Sequence, residues 1–339
     1  MLTNKYKASA MKKVPISIII DDPAPIISVY ESHAKTKYTK YGEPLIKTND
    51  NDTLFTFIDI VKRYGIKGKF SVVPMPGNKG DIVNGLEGVS NSELNAWLDA
   101  VKSEVYPNFS ITPELLTHNK AVDLSTMKPL DIKENDWSQT QSEETLTQYI
   151  EYALTLLKKA GFDVLGVSSP WDFGIKVEPK FHNAIINAVY NVFNKKQSFF
   201  FLRGMRNLPN AKPWVEIDGD KTLVSIPATT HDVIWATINS TEDSDEYISS
   251  LADKLITKDG KSGEIITVLE TGGYPILITH WQSLISNGTN VGFKVLEEVC
   301  NRIEKRLSDK VEWYSFEEIL NLVLSDKKSY PKPPKTDSD

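Results

Sequence analysis

Apolar residues fall along the chain in two alternating kinds of stretch. One kind is short and mostly apolar: residues 14–20 (Val-Pro-Ile-Ser-Ile-Ile-Ile), 69–73, 162–167, 199–202, 223–226 and 274–279, with 109–118 a more mixed run that also reads as a strand. Such β-branched runs predict parallel strands buried on both faces rather than half-exposed antiparallel ones. The other kind repeats every three or four residues, as in Leu54, Phe57, Ile58, Val61 and Tyr64 before Gly65, or Leu146, Ile150, Ala153, Leu154 and Leu157 before Gly161. Similar faces predict helices starting near Ser92, through Phe181, Ile185, Ile186, Val189 and Phe193, and over 245–256 and 291–307, with 316–324 closing the fold. Strands alternate with helices to the end without an internal repeat or a linker. That predicts one α/β domain over residues 14–325, its parallel sheet closed or nearly closed into a barrel.

The intervening segments are polar. Residues 23–52 make a loop long enough to be a lid or a disordered insertion, and Tyr30, Glu31 and His33 could line a site from it. Residues 74–91 and 124–142 read as further loops. Residues 1–13 form a polar, lysine-rich arm, and residues 326–339, with Pro331, Pro333 and Pro334 among lysines, read as a disordered tail.

Composition narrows the classes. A net charge of -6 with no basic block argues against nucleic acid as the main partner. No apolar run reaches the roughly 20 residues that span a bilayer. The start lacks the apolar segment and cleavage site of an export signal; a removed leader would leave the same start, so a periplasmic or secreted location stays open. Cys300, the single cysteine, shares an apolar helical face with Leu296, Val299, Ile303 and Leu307, which predicts a buried structural thiol. Oligomeric state is not legible.

The chemistry gathers where strands end. The first run stops at Asp21-Asp22, the third at His118 with Asp123 beyond it, the fourth at Ser168-Ser169-Pro170-Trp171-Asp172, and later runs at His231-Asp232 and His280. In parallel α/β folds the C-terminal strand ends are where ligands bind. Adjacent carboxylates resist ionising together unless a cation or donor relieves them, so Asp21-Asp22 points to a metal, a proton shuttle, or both. The collected residues suit a borderline divalent cation such as zinc, with carboxylate and imidazole left for proton transfer. A glycine-rich phosphate loop, a Gly-x-Ser-x-Gly elbow and a cysteine pair are all missing.

The order strand-Asp-Asp, strand-Thr-His, Pro-Trp after a strand, then Ile278-Thr279-His280, resembles the polysaccharide deacetylase family, whose shared unit is the NodB homology domain (carbohydrate esterase 4-like). The resemblance spans residues 14–325. It implies a distorted (β/α) barrel of about seven strands with long inserted loops, and a metal-dependent hydrolase that removes N- or O-acetyl groups from carbohydrate through a metal-activated water. It also implies Asp21 as general base, Asp22 and His118 as ligands to a divalent metal such as zinc, and His280 as general acid. Pro170 and Trp171 would wall the substrate site, Asp232 and Trp235 match a fourth motif loosely, and Trp171, Trp235 and Trp281 are candidates to stack on a sugar ring. Asp172 is a further candidate there.

Two motifs depart from the family pattern. Four residues after His118, where the family has a second histidine, this chain has Val122; Asp123, one further on, could supply the third ligand. Where the family has an arginine two residues before the proline, this chain has Ser168; Asp172, Arg203 or Arg206 could compensate. A catalytically decayed carbohydrate-binding relative and a metal-free glycoside hydrolase with paired carboxylates are the alternative functions.

Overall fold

The computed structural model describes residues 13–26, 51–201, 208–238, 240–286 and 288–332. Tyr30, Glu31, His33, Arg203 and Arg206, and most of the arm, the proposed lid and the end of the tail, lie outside the described residues.

Strand β1 (Val14–Asp21) is buried along nearly its whole length, as its unbroken β-branched run requires. It pairs in parallel with β2 (Gly68–Val72), which pairs in parallel with β5 (Phe109–Pro113). Between them lies a two-residue hairpin, β3 (Gly80–Asp81) and β4 (Gly85–Leu86). At Gly68 a Cβ would stand 1.8 Å from the Ile18 carbonyl oxygen, so only glycine lets β2 begin this close to β1. The next two strands, β6 (Lys120–Asp123) and β7 (Lys128–Lys133), form an antiparallel hairpin. Strands β8 (Gly166–Ser168), β9 (Gln197–Phe201) and β11 (Lys221–Ser225) run parallel in a second sheet, with β10 (Trp214–Asp218) antiparallel on its edge. Strand β12 (Ile276–His280) returns to the first sheet on the other side of β1, and β13 (Val311–Trp313) pairs with the start of β1.

The result is an α/β fold whose parallel strands are covered by helices, including Asn51–Tyr64, Glu143–Lys159, Glu178–Phe193 and Val291–Leu307. The first sheet runs β12-β1-β2-β5 and the second β10-β11-β9-β8. A single bridge, Glu114 to Ser168, links them. Described pairings therefore form two parallel sheets that meet beyond the C-terminal end of β5, without a continuous ladder.

Several elements differ from the sequence expectation. The run 109–118 is strand only to Pro113, because Leu115 and His118 take left-handed φ values of 26° and 50°. The polar stretch 124–142 is partly hairpin and partly helix (Glu134–Ser138). The fourth strand is shorter than expected, and helix Glu264–Glu270 was hidden by its small size. Residues 327–332 are held, not loose: the Tyr330 and Tyr274 hydroxyls are 2.8 Å apart, and Val215 N–H donates to the Pro331 carbonyl at 2.9 Å. Cys300 is buried as expected, and burial pushes its thiol up.

Candidate active site

Register places the first two candidate residues. Asp21 pairs with Ser71 on β2 and with His280 on β12, so Asp21 and His280 sit side by side on adjacent strands. Asp22 then leaves β1 with φ 66°, a left-handed conformation that Asp tolerates better than most residues. Its backbone N–H donates to Glu114 Oε2 at 2.7 Å, and Gln282 Nε2 donates to its Oδ2 at 2.9 Å. Both partners come from other strand ends.

His118 meets this pair from the turn after β5. Its Nε2 lies 2.9 Å from Asp22 Oδ1 and 3.8 Å from Glu114 Oε1. Buried Glu134 holds that turn: it accepts N–H from Leu116 (2.9 Å), Thr117 (3.1 Å) and His118 (2.9 Å), and the Tyr149 hydroxyl at 2.9 Å. The Trp171 ring covers His118 edge-on, with centroids 4.2 Å apart, and Trp171 is itself left-handed at φ 49°. Three residues of this one corner thus hold uncommon backbone conformations. Such clustering is typical of sites whose geometry is over-determined by their surroundings.

The ligand atoms of Asp22, Glu114 and His118 lie within 4.8 Å of one another, and all three residues are buried. Among the described residues Oδ1 of Asp22 has no polar partner besides the His118 imidazole. Two ligands about 2.1 Å from a tetrahedral cation stand about 3.4 Å apart, between the 2.9 Å separating His118 from Asp22 and the 3.8 Å separating it from Glu114. The electrostatics agree. Burial followed by the charges of Asp21 and Asp22 pushes Glu114 well above the usual carboxylate range. Burial alone would raise Asp22 too, but the His118 charge and hydrogen bond hold it far below that range. Burial would lower His118, and Asp22 more than reverses this. The group is short of positive charge, and its two carboxylates and one imidazole fit a divalent cation.

Asp21 belongs to a second, deeper network. Lys69, fully buried on β2, donates to Asp21 Oδ1 at 2.8 Å and contacts the hydroxyls of Ser71 and Ser168. The Ser71 hydroxyl donates to the same Asp21 oxygen at 2.8 Å, and the Thr112 hydroxyl is 3.0 Å from that of Ser168.

His280 emerges at the rim with about a quarter of its side chain exposed. Its Nδ1 donates to Asp232 Oδ2 at 2.7 Å, while Asp232 Oδ1 accepts the Trp235 N–H at 3.0 Å. The Trp235 ring stands edge-on to the imidazole at 4.8 Å. Burial would lower His280, but the hydrogen bond and charge of Asp232, with Asp22 and Asp21 behind it, raise it to about 9.

Other residues expected at the site are placed elsewhere. Asp123 closes the β6–β7 turn, accepting Ser125 N–H (2.8 Å) and hydroxyl (2.7 Å), and it is not part of the buried ligand group. Val122 packs in the apolar core, as its place in β6 demands. Trp281 is fully buried against Phe57 and Phe70, with centroids 5.8 Å from each, so it faces the core and no sugar. Asp172 is exposed, and its carbonyl accepts from Gln139 at 2.7 Å; Pro170 is buried beside Trp171. His231 pairs with Glu264 at 2.8 Å. Glu114, Lys69, Glu134 and Gln282 were not foreseen. Glu114 had one readable signal, a Glu-x-x-x-His spacing ending on His118.

No family model matches the sequence, and no curated protein is significantly similar to it. Solved structures do resemble it. A protein assigned as a polysaccharide deacetylase from Mycobacterium smegmatis superposes with a TM-score of 0.50 at 13% identity, over 85% of this chain and 81% of that one. The Xyl-CE4 domain of a multidomain xylanase from the hindgut metagenome of Trinervitermes trinervoides gives 0.40 at 12%, over 92% and 91%. A mutant of a CE4 family pseudoenzyme gives 0.43 at 11%, over 91% and 68%. The parallel sheet with its helices, together with the superposition on the Mycobacterium smegmatis protein, makes this an α/β chain with a fold like that of the polysaccharide deacetylases.

Proposed function

We propose that this protein is a metal-dependent hydrolase that removes N- or O-linked acetyl groups from carbohydrate. The observation that carries the reading is the buried Asp22, Glu114 and His118 group beside the adjacent Asp21 and His280. Asp22, Glu114 and His118 would hold the cation, with Glu114 in the place first given to Asp123. When bound, a divalent cation such as zinc polarises an acetyl carbonyl and lowers the pKa of a water toward about 7.

The chain's own residues supply the rest. Asp21 has its Oδ1 occupied by Lys69 and Ser71, so Oδ2 is the edge that accepts a proton from the attacking water. His280, held protonated by Asp232, delivers a proton to the departing amine or alcohol. Trp171 excludes water from the His118 side and offers its half-buried ring to the sugar. The strand order β12-β1-β2-β5, then β8-β9-β11, supports a distorted barrel of about seven strands within one domain over 14–325. Thr229 N–H donating to the Ile276 carbonyl at 2.9 Å draws the end of β11 toward β12.

The glycoside hydrolase alternative is not favoured, because Asp22 and Glu114 are both buried and joined through the Asp22 N–H rather than set across a groove from each other. The test is acetate release from acetylxylan and from N-acetylglucosamine oligomers, before and after EDTA and with Zn²⁺, Co²⁺ or Mn²⁺ restored. Release that is lost with chelator and regained with metal is expected. A protein that binds one metal per chain and these glycans but releases no acetate would instead be the decayed relative.

A further inference from the structure

Lys69 is the least expected residue in the interior. It sits in the middle of the first sheet with no exposure, where a lysine is rare unless its charge is matched. An ammonium has three donors. Here three neighbours take them: Asp21 Oδ1, at 2.8 Å, and the hydroxyls of Ser71 and Ser168. The stem lies near Phe201, with Nζ 4.9 Å from the ring centroid. Nothing remains to meet a substrate, so whatever Lys69 does it does through Asp21. The surrounding polar residues come from four strands, β1, β2, β5 and β8, and they close on one another: Ser71 to Asp21 at 2.8 Å, Ser71 to Ser168 and Thr112 to Ser168 at 3.0 Å. Both measured contacts to Asp21 end on Oδ1.

We infer that Lys69 is the positioning residue that separates the roles of the two neighbouring aspartates. It commits Asp21 Oδ1 to the interior, which turns Oδ2 outward as the proton acceptor and keeps Asp21 from joining Asp22, Glu114 and His118 as a fourth ligand. Ser71, Ser168 and Thr112 hold the ammonium so that the carboxylate has one orientation. The inference rests on the hydrolase reading above for its catalytic consequence, although the sorting of the two carboxylates is a property of the geometry.

The experiment compares the full-length protein with Lys69→Met, Lys69→Arg and Ser168→Ala, following acetate release from acetylxylan, metal content and a crystal structure of each. Lys69→Met should lower kcat by about 10²- to 10³-fold with KM changed by less than about threefold. Its metal should remain at one per chain, and its Asp21 carboxylate should be rotated away. Lys69→Arg keeps a buried cation and should recover most of the loss. A Lys69→Met protein whose kcat stays within about threefold of the parent overturns the inference, as does one whose activity falls only in step with lost metal. Should Lys69→Met fail to fold, Ser168→Ala decides: it keeps the charge and should lower kcat about 5- to 20-fold at unchanged melting temperature and metal content, and an unchanged kcat is contrary. Should the parent release no acetate at all, the hydrolase reading falls by itself; the structure of Lys69→Met then decides the inference, which is overturned by an Asp21 carboxylate that has not moved.

Discussion

Glu114 accepts the backbone N–H of Asp22 at 2.7 Å, so one carboxylate from the end of β5 both braces the left-handed backbone of Asp22 and stands with Asp22 and His118 in the proposed metal group. Replacing it removes two functions together. Glu114→Ala is expected to weaken metal binding by more than about 100-fold in titration calorimetry, whereas Asp123→Asn should leave it unchanged because Asp123 is engaged in a distant turn. Equal losses in the two variants would remove Glu114 from the ligand set.

The Asp232 carboxylate sets the proton on His280. With the imidazole raised from 6.5 to about 9, it is charged through neutrality, and kcat should fall as pH rises through about 9. The same pairing contributes stability below 6.5 that is lost as pH rises through about 9, since the folded value lies above the unfolded one. Asp232→Asn removes the charge opposite Nδ1 and should shift the alkaline fall in kcat to lower pH. A pH profile identical in Asp232→Asn and the parent would show that His280 is not the acid.

Glu134 binds three backbone N–H groups and a tyrosine hydroxyl around the His118 turn. Glu134→Gln should cost about 2–4 kcal/mol of unfolding free energy, because one amide cannot accept what two carboxylate oxygens accept. Denaturant melts measure this. Metal affinity should drop alongside by about 10- to 100-fold as His118 loses its support.

Two tryptophans separate packing from recognition. Trp281→Ala, which hollows the core beside Phe57 and Phe70, should cost about 3–5 kcal/mol. Trp171→Ala, at the half-buried rim, should leave stability within about 1 kcal/mol and raise KM for acetylated glycan about 2- to 10-fold. Reversed outcomes would exchange the two roles.

Restoring a histidine at Val122 tests how far sequence spacing alone can be trusted. Val122 is buried in β6 and packed in the main core, so Val122→His should bury an imidazole without a partner and destabilise by about 1–3 kcal/mol. No tighter metal binding should accompany it. A measured gain in affinity would return Asp22, His118 and position 122 to the front as the ligand set.

Short, nearly continuous apolar runs alternating with stretches of period 3.6 determined the α/β class, and the abrupt end of β1 marked the candidate site, because a strand buried on both faces must be apolar until it reaches solvent or a ligand. For the same reason Asp21, Asp22, His118 and His280 were legible: each ends an apolar run. Lys69 and Glu114 were not. Lys69 lies inside such a run and reads as a strand flank, since lysines mostly face water; its partner is 48 residues away in the chain. Glu114 follows a strand as Asp22 does, but only the side-by-side order of β1, β2 and β5 brings it to Asp22. Which carboxylate neighbours which cation is a matter of strand register and turn direction, and these follow from packing across the whole chain. The sequence by itself therefore determined the fold class and the edge of the sheet where the candidate residues gather. The tertiary structure set Glu114, and not Asp123, beside Asp22 and His118, gave Asp21 and Asp22 different partners, and placed Trp281 in the core.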